Sequence, residues 1–372
     1  MKYPKHLSEH GTIGFVAPSF GCNIEPYRSG FINAQKKFKE LGHELDLGPN
    51  CYEGSGIGIS NTPKACGAEL TDYYCSKEND VLISCGGGEL MCETLDYVDF
   101  ARIAEAEPKW YMGFSDNTNM TYLLATLCDT ASIYGPCAAA FGMESWHESL
   151  HDAYALLRGE KQVVRGYELW EREGKKDEEH PLEPYNVTEK RELHVYAPAQ
   201  ACEGHIEMST DGAVPTENSH TKLMRVEQQD KPLEIRGRLL GGCMDCLVTL
   251  LGTKYDKTTE FVERYRDDGI IWFLEACELN PMAIRRAVWQ MKNAGWFSHV
   301  KGFLIGRPML FGQELMGLDQ YHAVCDLLED LGVPIIMDVD LGHLPPMMPL
   351  VCGSYATVQV QGDDIAIEMQ QK

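Results

Sequence analysis

Residues 113–118 read Gly-Phe-Ser-Asp-Asn-Thr and stand between a short apolar stretch, Trp110–Met112, and a helix expected from Asn119 to Cys128. A serine on a tight strand-to-helix turn projects its hydroxyl clear of the backbone. The N–H groups that follow point at whatever bonds to that hydroxyl. This is the geometry of a serine nucleophile, which makes Ser115 a candidate. A nucleophile elbow usually reads Gly-x-Ser-x-Gly, and Asn117 stands at its last position. An ordinary helix N-cap, a position that Ser and Asp both favour, is the plain alternative.

Three further places could complete such a site. Gly86-Gly87-Gly88 follows the apolar strand Val81–Ser84 and lets backbone N–H groups approach a ligand closely. Its spacing fits neither a dinucleotide loop nor a Walker A loop. An oxyanion-hole donor is the functional reading and a tight turn the plain one. Glu275 ends the apolar run Ile270–Leu274, where an unpaired carboxylate is costly. His343 lies in Leu341-Gly342-His343-Leu344-Pro345-Pro346, a loop stiffened by proline. A histidine beside a glutamate is oriented and kept basic, as a generalised triad requires. The alternatives are an ion pair of Glu275 with Arg285 or Arg286, and a plain loop hydrogen bond for His343.

The elements that must position these residues alternate. Strands are expected at Thr12–Val16, Glu44–Leu47 and Val81–Ser84, with helices over Pro26–Leu41 and Lys64–Cys75 between them. Strands alternating with helices imply a parallel sheet, and ligands of such sheets bind at the carboxyl edge. From 161 to 235 the texture changes. The charge run 171–180 and prolines 181, 184, 198 and 215 suggest a linker and an insertion, with a lid as one possibility and a disordered excursion as the other. Order returns at Gly237–Gly242. Asn280 and Pro281 open a helix that Gly295 ends. A strand at Phe303–Gly306, a helix over 316–331, a strand at Val333–Met337 and a terminal hairpin around Gly362-Asp363 complete the chain. The division expected is 1–160, 161–235 and 236–372.

Composition narrows the classes. A formal net charge of −23 repels phosphate backbones and argues against nucleic acid. There is no run of 18 apolar residues and no secretory leader, so no membrane partner is expected and a cytoplasmic location is. The 14 cysteines are scattered, which fits free thiols in a reducing compartment. Cys243-Met244-Asp245-Cys246 is a lone C-x-x-C inside an apolar, helix-like run and reads as buried thiols. No metal-ligand spacing occurs among the 12 histidines, and neither a metal nor a cofactor is expected.

Taken in order, Gly11–Ser19, the glycines 86–88, Pro108-Lys109 leading to Gly113–Thr118, Tyr134-Gly135-Pro136, Gly237–Gly242, Leu251-Gly252-Thr253, Leu274-Glu275 with Glu278 and Arg285, and Gly342-His343 resemble the serine carboxypeptidase family of LD-carboxypeptidases and microcin C immunity-type peptidases. The resemblance covers most of the chain. It implies an α/β fold: an N-terminal Rossmann-like parallel sheet with a nucleophile elbow, and a smaller β-rich α+β C-terminal domain, with the site between them and commonly a homodimer. It places a catalytic triad on Ser115, Glu275 and His343, with Gly87 and Asp116 as oxyanion donors. The expected reaction is metal-independent hydrolysis of an amide near the C-terminus of a short peptide, such as a murein tetrapeptide in peptidoglycan recycling. The alternative within the family is a peptidyl-aminoacyl nucleotide, which an aromatic stacking residue such as Trp170 or Tyr185 would favour. A catalytically silent peptide-binding protein is the alternative of another class. The chain departs from the family pattern at Cys85, Met224 and Cys243, which bears on substrate choice and leaves the triad intact.

Overall fold

The computed structural model describes residues 1–198, 206–209, 223–229 and 231–372. Two compact units emerge: Met1–Gln162 with Glu171–Thr188 and Pro346–Gly353, and Val163–Trp170 with Glu189–Pro345 and Ser354–Lys372. Among the described residues no helix is long and apolar enough to cross a membrane.

The first unit runs β1 (Thr12–Val16), α1 (Tyr27–Glu40), β2 (Glu44–Leu47), α2 (Pro63–Cys75), β3 (Val81–Ser84), α3 (Met91–Thr94), α4 (Phe100–Glu105), β4 (Trp110–Gly113), α5 (Thr118–Cys128), β5 (Ser132–Tyr134) and α6 (Glu148–Leu157). Strands β5, β4, β3, β1 and β2 lie side by side and parallel, and a late strand (Leu350–Cys352, β16 in chain order) adds antiparallel to β5. Every residue of β3 and β4 is buried, as strands covered on both faces must be. Helix α1 packs Phe31, Ala34 and Phe38 inward, and Phe15 meets Phe31 at 5.2 Å and Phe38 at 6.0 Å. Burying each such side chain contributes about 1.5–3 kcal/mol. Thr62 caps α2 by accepting from the Ala65 N–H, with Pro63 at the first helical position.

In the second unit β6 (Val163–Arg165), β7 (Leu169–Trp170), β8 (Glu189–Lys190), β9 (His194–Pro198), β10 (Ile206–Ser209), β11 (Leu223–Gln229) and β12 (Leu233–Cys243) precede α7 (Met244–Leu250) and α8 (Thr258–Arg264). Then come β13 (Ile270–Glu275), α9 (Pro281–Asn293), β14 (Val300–Gly306), α10 (Gln320–Leu328), β15 (Ile335–Val339) and the hairpin β17 (Tyr355–Gln361) and β18 (Asp364–Gln370). Strands β12, β13, β14 and β15 are parallel and form the middle of a sheet ordered β10-β11-β9-β15-β14-β13-β12-β17-β18-β6, whose remaining pairings are antiparallel. The unit is therefore mixed α/β and rich in strands.

The stretch 161–235 is thus more than a linker, because β9 lies within this sheet and β6 forms its edge. Residues 199–205 and 210–222 of it, with Pro215, lie outside the described residues. The helix expected over 316–331 begins only at Gln320. Met316 and Gly317 have φ of +54° and +80°, and Asp319 accepts from the His322 N–H as the true cap.

Candidate active site

Ser115 sits on the turn between β4 and the single 3-10 turn Ser115–Asn117 that leads into α5. Its φ is +62°, a left-handed conformation that a non-glycine residue holds only when its surroundings over-determine it. The N-cap alternative is not the geometry found: Asn117 precedes α5 and makes no side-chain cap bond.

The surroundings that impose the strain are specific. The Ser115 N–H donates to the Tyr134 hydroxyl at 3.2 Å. Asp116 is buried, and its carboxylate accepts from the Ser19 hydroxyl at 2.5 Å, the Met91 N–H at 2.9 Å and the Asn119 amide at 3.1 Å. One carboxylate thereby ties the turn to the loop after β1 and to the start of α3. Asn117 is fully buried. It donates to the Gly86 carbonyl at 2.9 Å and accepts from the Tyr111 hydroxyl at 2.5 Å. A Cβ on Gly113 would come within 2.8 Å of the Asn117 side chain. Asn117 therefore fills the space behind the turn and braces it to the glycine loop. Its type alone carried no such signal, since the Gly86 carbonyl it reaches lies 31 positions away.

Gly87 lies beside the candidate nucleophile: a Cβ built there would be 3.5 Å from the Ser115 Oγ. A Cβ on Gly88 would strike the Ser19 Oγ at 2.2 Å, so that position must be glycine. Ser115, Gly87 and Asp116 are thus brought together within the first unit.

The second unit brings Glu275 and His343 together. The His343 Nδ1–H donates to the Glu275 carboxylate at 2.8 Å, with Glu275 1% exposed. Glu275 is the last residue of β13, and His343 follows β15 across a turn in which Gly342 has φ +97°. A Cβ on Gly342 would lie 2.6 Å from a Glu275 oxygen, so only glycine lets the two chains approach this closely. Burial disfavours the imidazolium. The Glu275 charge and the hydrogen bonds to Cys277 and Glu275 outweigh it and hold His343 well above its ordinary value of 6.5. Of the two arginines considered as partners for Glu275, Arg285 pairs with Asp326 at 3.0 Å.

The C-x-x-C proves useful for the residue inside it. Asp245 accepts from the N–H groups of Cys277 and Glu278 at 3.0 and 2.9 Å, fixing the turn after Glu275. Cys243 and Cys246 are buried. The hydrogen bond with Cys246, burial and the nearby Glu275 charge keep the Cys243 thiol well above its ordinary range. Among the described residues no group of three or more His, Cys, Asp or Glu could hold a metal ion.

Trp170 is not a free stacking surface. It is 5% exposed, with the Arg307 guanidinium 4.8 Å from its ring centroid and Phe311 at 5.2 Å. Tyr185 packs against His147 at 5.6 Å.

The first unit thus holds a strained serine on a strand-to-helix turn, and the second a buried Glu–His pair at and just beyond the ends of parallel strands. Comparison with known proteins supplies the family. Residues 13–135 match the LD-carboxypeptidase N-terminal domain and residues 236–358 the LD-carboxypeptidase C-terminal domain. The chain belongs to the LD-carboxypeptidase family of peptidases. It is 29% identical to a putative carboxypeptidase of Synechocystis over 88% of this chain and 84% of that one. It is 21% identical to a probable murein peptide carboxypeptidase of Bacillus subtilis, over 98% and 94%. A variant of the microcin C7 self immunity protein MccF, in complex with adenosine monophosphate, shares the fold with a TM-score of 0.75 at 18% identity, over 100% and 99%.

Proposed function

We propose that the protein is a serine carboxypeptidase that hydrolyses an amide near the C-terminus of a short peptide, of the kind found in a murein tetrapeptide. Ser115 attacks the carbonyl, and His343 takes its proton through Nε2 and returns it to the leaving amine. Glu275 holds the imidazolium. The N–H groups of Gly87 and Asp116 receive the oxyanion, and water releases the acyl group. The observation that carries this reading is the 2.8 Å bond from Nδ1 of His343 to Glu275. It fixes the tautomer that leaves Nε2 as the base. Trp170 is buried beside Arg307 and Phe311, so the nucleotide-conjugate alternative needs a stacking surface at another residue.

The test is release of D-alanine from a murein tetrapeptide, run beside a peptidyl-aminoacyl nucleotide, with labelling of Ser115 by a serine-directed phosphonate. Ser115→Ala is expected to abolish labelling and to lower turnover by about 10³-fold or more. Turnover of the nucleotide conjugate alone would transfer the assignment to that substrate. Absence of labelling and of turnover on both would make the protein a binding module. The family resemblance also supports a homodimer, the scattered cysteines support a cytoplasmic location, and the charge run and prolines of 161–235 support a lid there. Light scattering, cell fractionation and the KM of a chain shortened between 210 and 222 test these.

A further inference from the structure

The turn that carries His343 is held by a charged group that does not belong to the Glu–His pair. Arg307 follows β14 directly and is 1% exposed. One of its nitrogens donates to the Asp338 carbonyl at 2.7 Å, and another is ion-paired with the Asp340 carboxylate. Its guanidinium lies 4.8 Å from the centroid of the Trp170 ring. The other Asp340 oxygen accepts from the Tyr167 N–H at 2.7 Å. Asp338 itself is buried with φ +63°. It accepts from His194 Nδ1 at 2.8 Å, Gln320 at 2.9 Å and the Tyr321 hydroxyl at 2.7 Å. Positions 338 and 340 are therefore clamped from β9, β14, α10 and the 163–170 segment, just ahead of Gly342 and His343.

A buried ion pair is a weak source of stability, because desolvation offsets its attraction. Here the Arg307 Nε has no hydrogen-bond partner among the described residues, which adds to that cost. What a planar guanidinium supplies instead is geometry: two acceptors held at a fixed separation. We propose that Arg307 is a positioning residue for His343, setting the 338–343 turn so that the imidazole meets Glu275, while touching no reacting atom. The proposal rests on His343 being the general base. Among the described residues, the titratable groups around the imidazole in its own unit include Glu275 and Cys277, with Cys243 and Asp245 beside them.

Two variants that preserve charge test it. Arg307→Lys keeps the charge but replaces the planar fork by a single ammonium nitrogen, which cannot hold the carbonyl and the carboxylate at the guanidinium's fixed separation. Trp170→Leu removes the ring beside the guanidinium. Arg238→Lys is the control: Arg238 is 2% exposed, is paired with Asp268 at 2.5 Å and lies 4.0 Å from the Tyr265 ring centroid, yet it sits beside Ile270 at the other end of β13. Full-length proteins labelled with 13C at histidine Cε1 are titrated by NMR and assayed for peptide hydrolysis. In whichever variant folds cooperatively, kcat is expected to fall at least about tenfold with KM within about threefold. The His343 midpoint is expected to drop by about half a pH unit or more toward its ordinary value. Arg238→Lys lowers Tm and leaves that midpoint in place. An unchanged midpoint and kcat in a folded variant, or an equal shift in Arg238→Lys, overturns the proposal. The NMR arm needs no turnover, so a wild type without peptidase activity would refute the proposed function while this test still reads.

Discussion

Glu275 is buried at the end of an apolar strand, and the imidazole of His343 is what it faces. Because the pair holds the His343 titration above the ordinary 6.5, the free base forms only as pH rises through that raised value. The acid limb of kcat/KM is therefore expected above pH 6.5. In Glu275→Gln the charge is gone. The limb should move to lower pH, with the plateau down by about 10³–10⁴-fold; a limb that stays in place would remove His343 from the base role. The linked stability has the opposite slope. A raised folded-state value stabilises the native state below the unfolded pKa, and that contribution is lost as pH climbs through the folded one. Asn117 offers a second test. Asn117→Ala leaves the Tyr111 hydroxyl and the Gly86 carbonyl without this partner, at a cost of about 2–4 kcal/mol. The expected result in urea unfolding is a lower midpoint, with kcat reduced because the turn bearing Ser115 loosens. An unchanged midpoint would mean Asn117 does not brace it.

At the scale of elements, the second unit gathers its chemistry at one edge: Cys243, Glu275 and Arg307 sit at or just beyond the ends of the parallel strands β12, β13 and β14. Strands β1 and β3 were legible as short apolar runs and β2 as an alternation of charged residues with leucine, and all three match their expected limits. Helix α9 was legible from Asn280 and Pro281, and Asn280 does accept from the Ala283 N–H at 3.0 Å. Asn280→Ala should lower stability by about 1 kcal/mol. Its activity at low temperature should equal that of the wild type. Thermal denaturation and initial rates check both, and a large loss of activity would tie α9 to the site more closely than its cap explains. The start of α10 was not legible, because Met316 takes a left-handed φ that its type does not suggest. Nor was β9, which on one side pairs with β15, more than a hundred positions away.

Across the whole molecule the net charge of −23 sets a repulsive field for any peptide rich in carboxylates. Raising ionic strength from about 10 mM to about 150 mM should increase kcat/KM for such a peptide by roughly two- to fivefold, chiefly through KM. A rate that falls with salt would instead point to a local positive surface that receives the carboxylates. The sequence by itself determined the elements that carry the candidate residues and the candidate chemistry, since both are written in local patterns: apolar runs, glycine turns, and a serine between a strand and a helix. Only the tertiary structure decided which groups hold that chemistry in place. Asp116 reaching Ser19, Asn117 reaching Gly86, Asp245 reaching Cys277, and Arg307 reaching Asp340 are bonds between residues 31 to 97 positions apart. Hydrogen bonds and ion pairs act over a few ångströms of space. No local pattern of residue types records which distant segments the fold will bring that close.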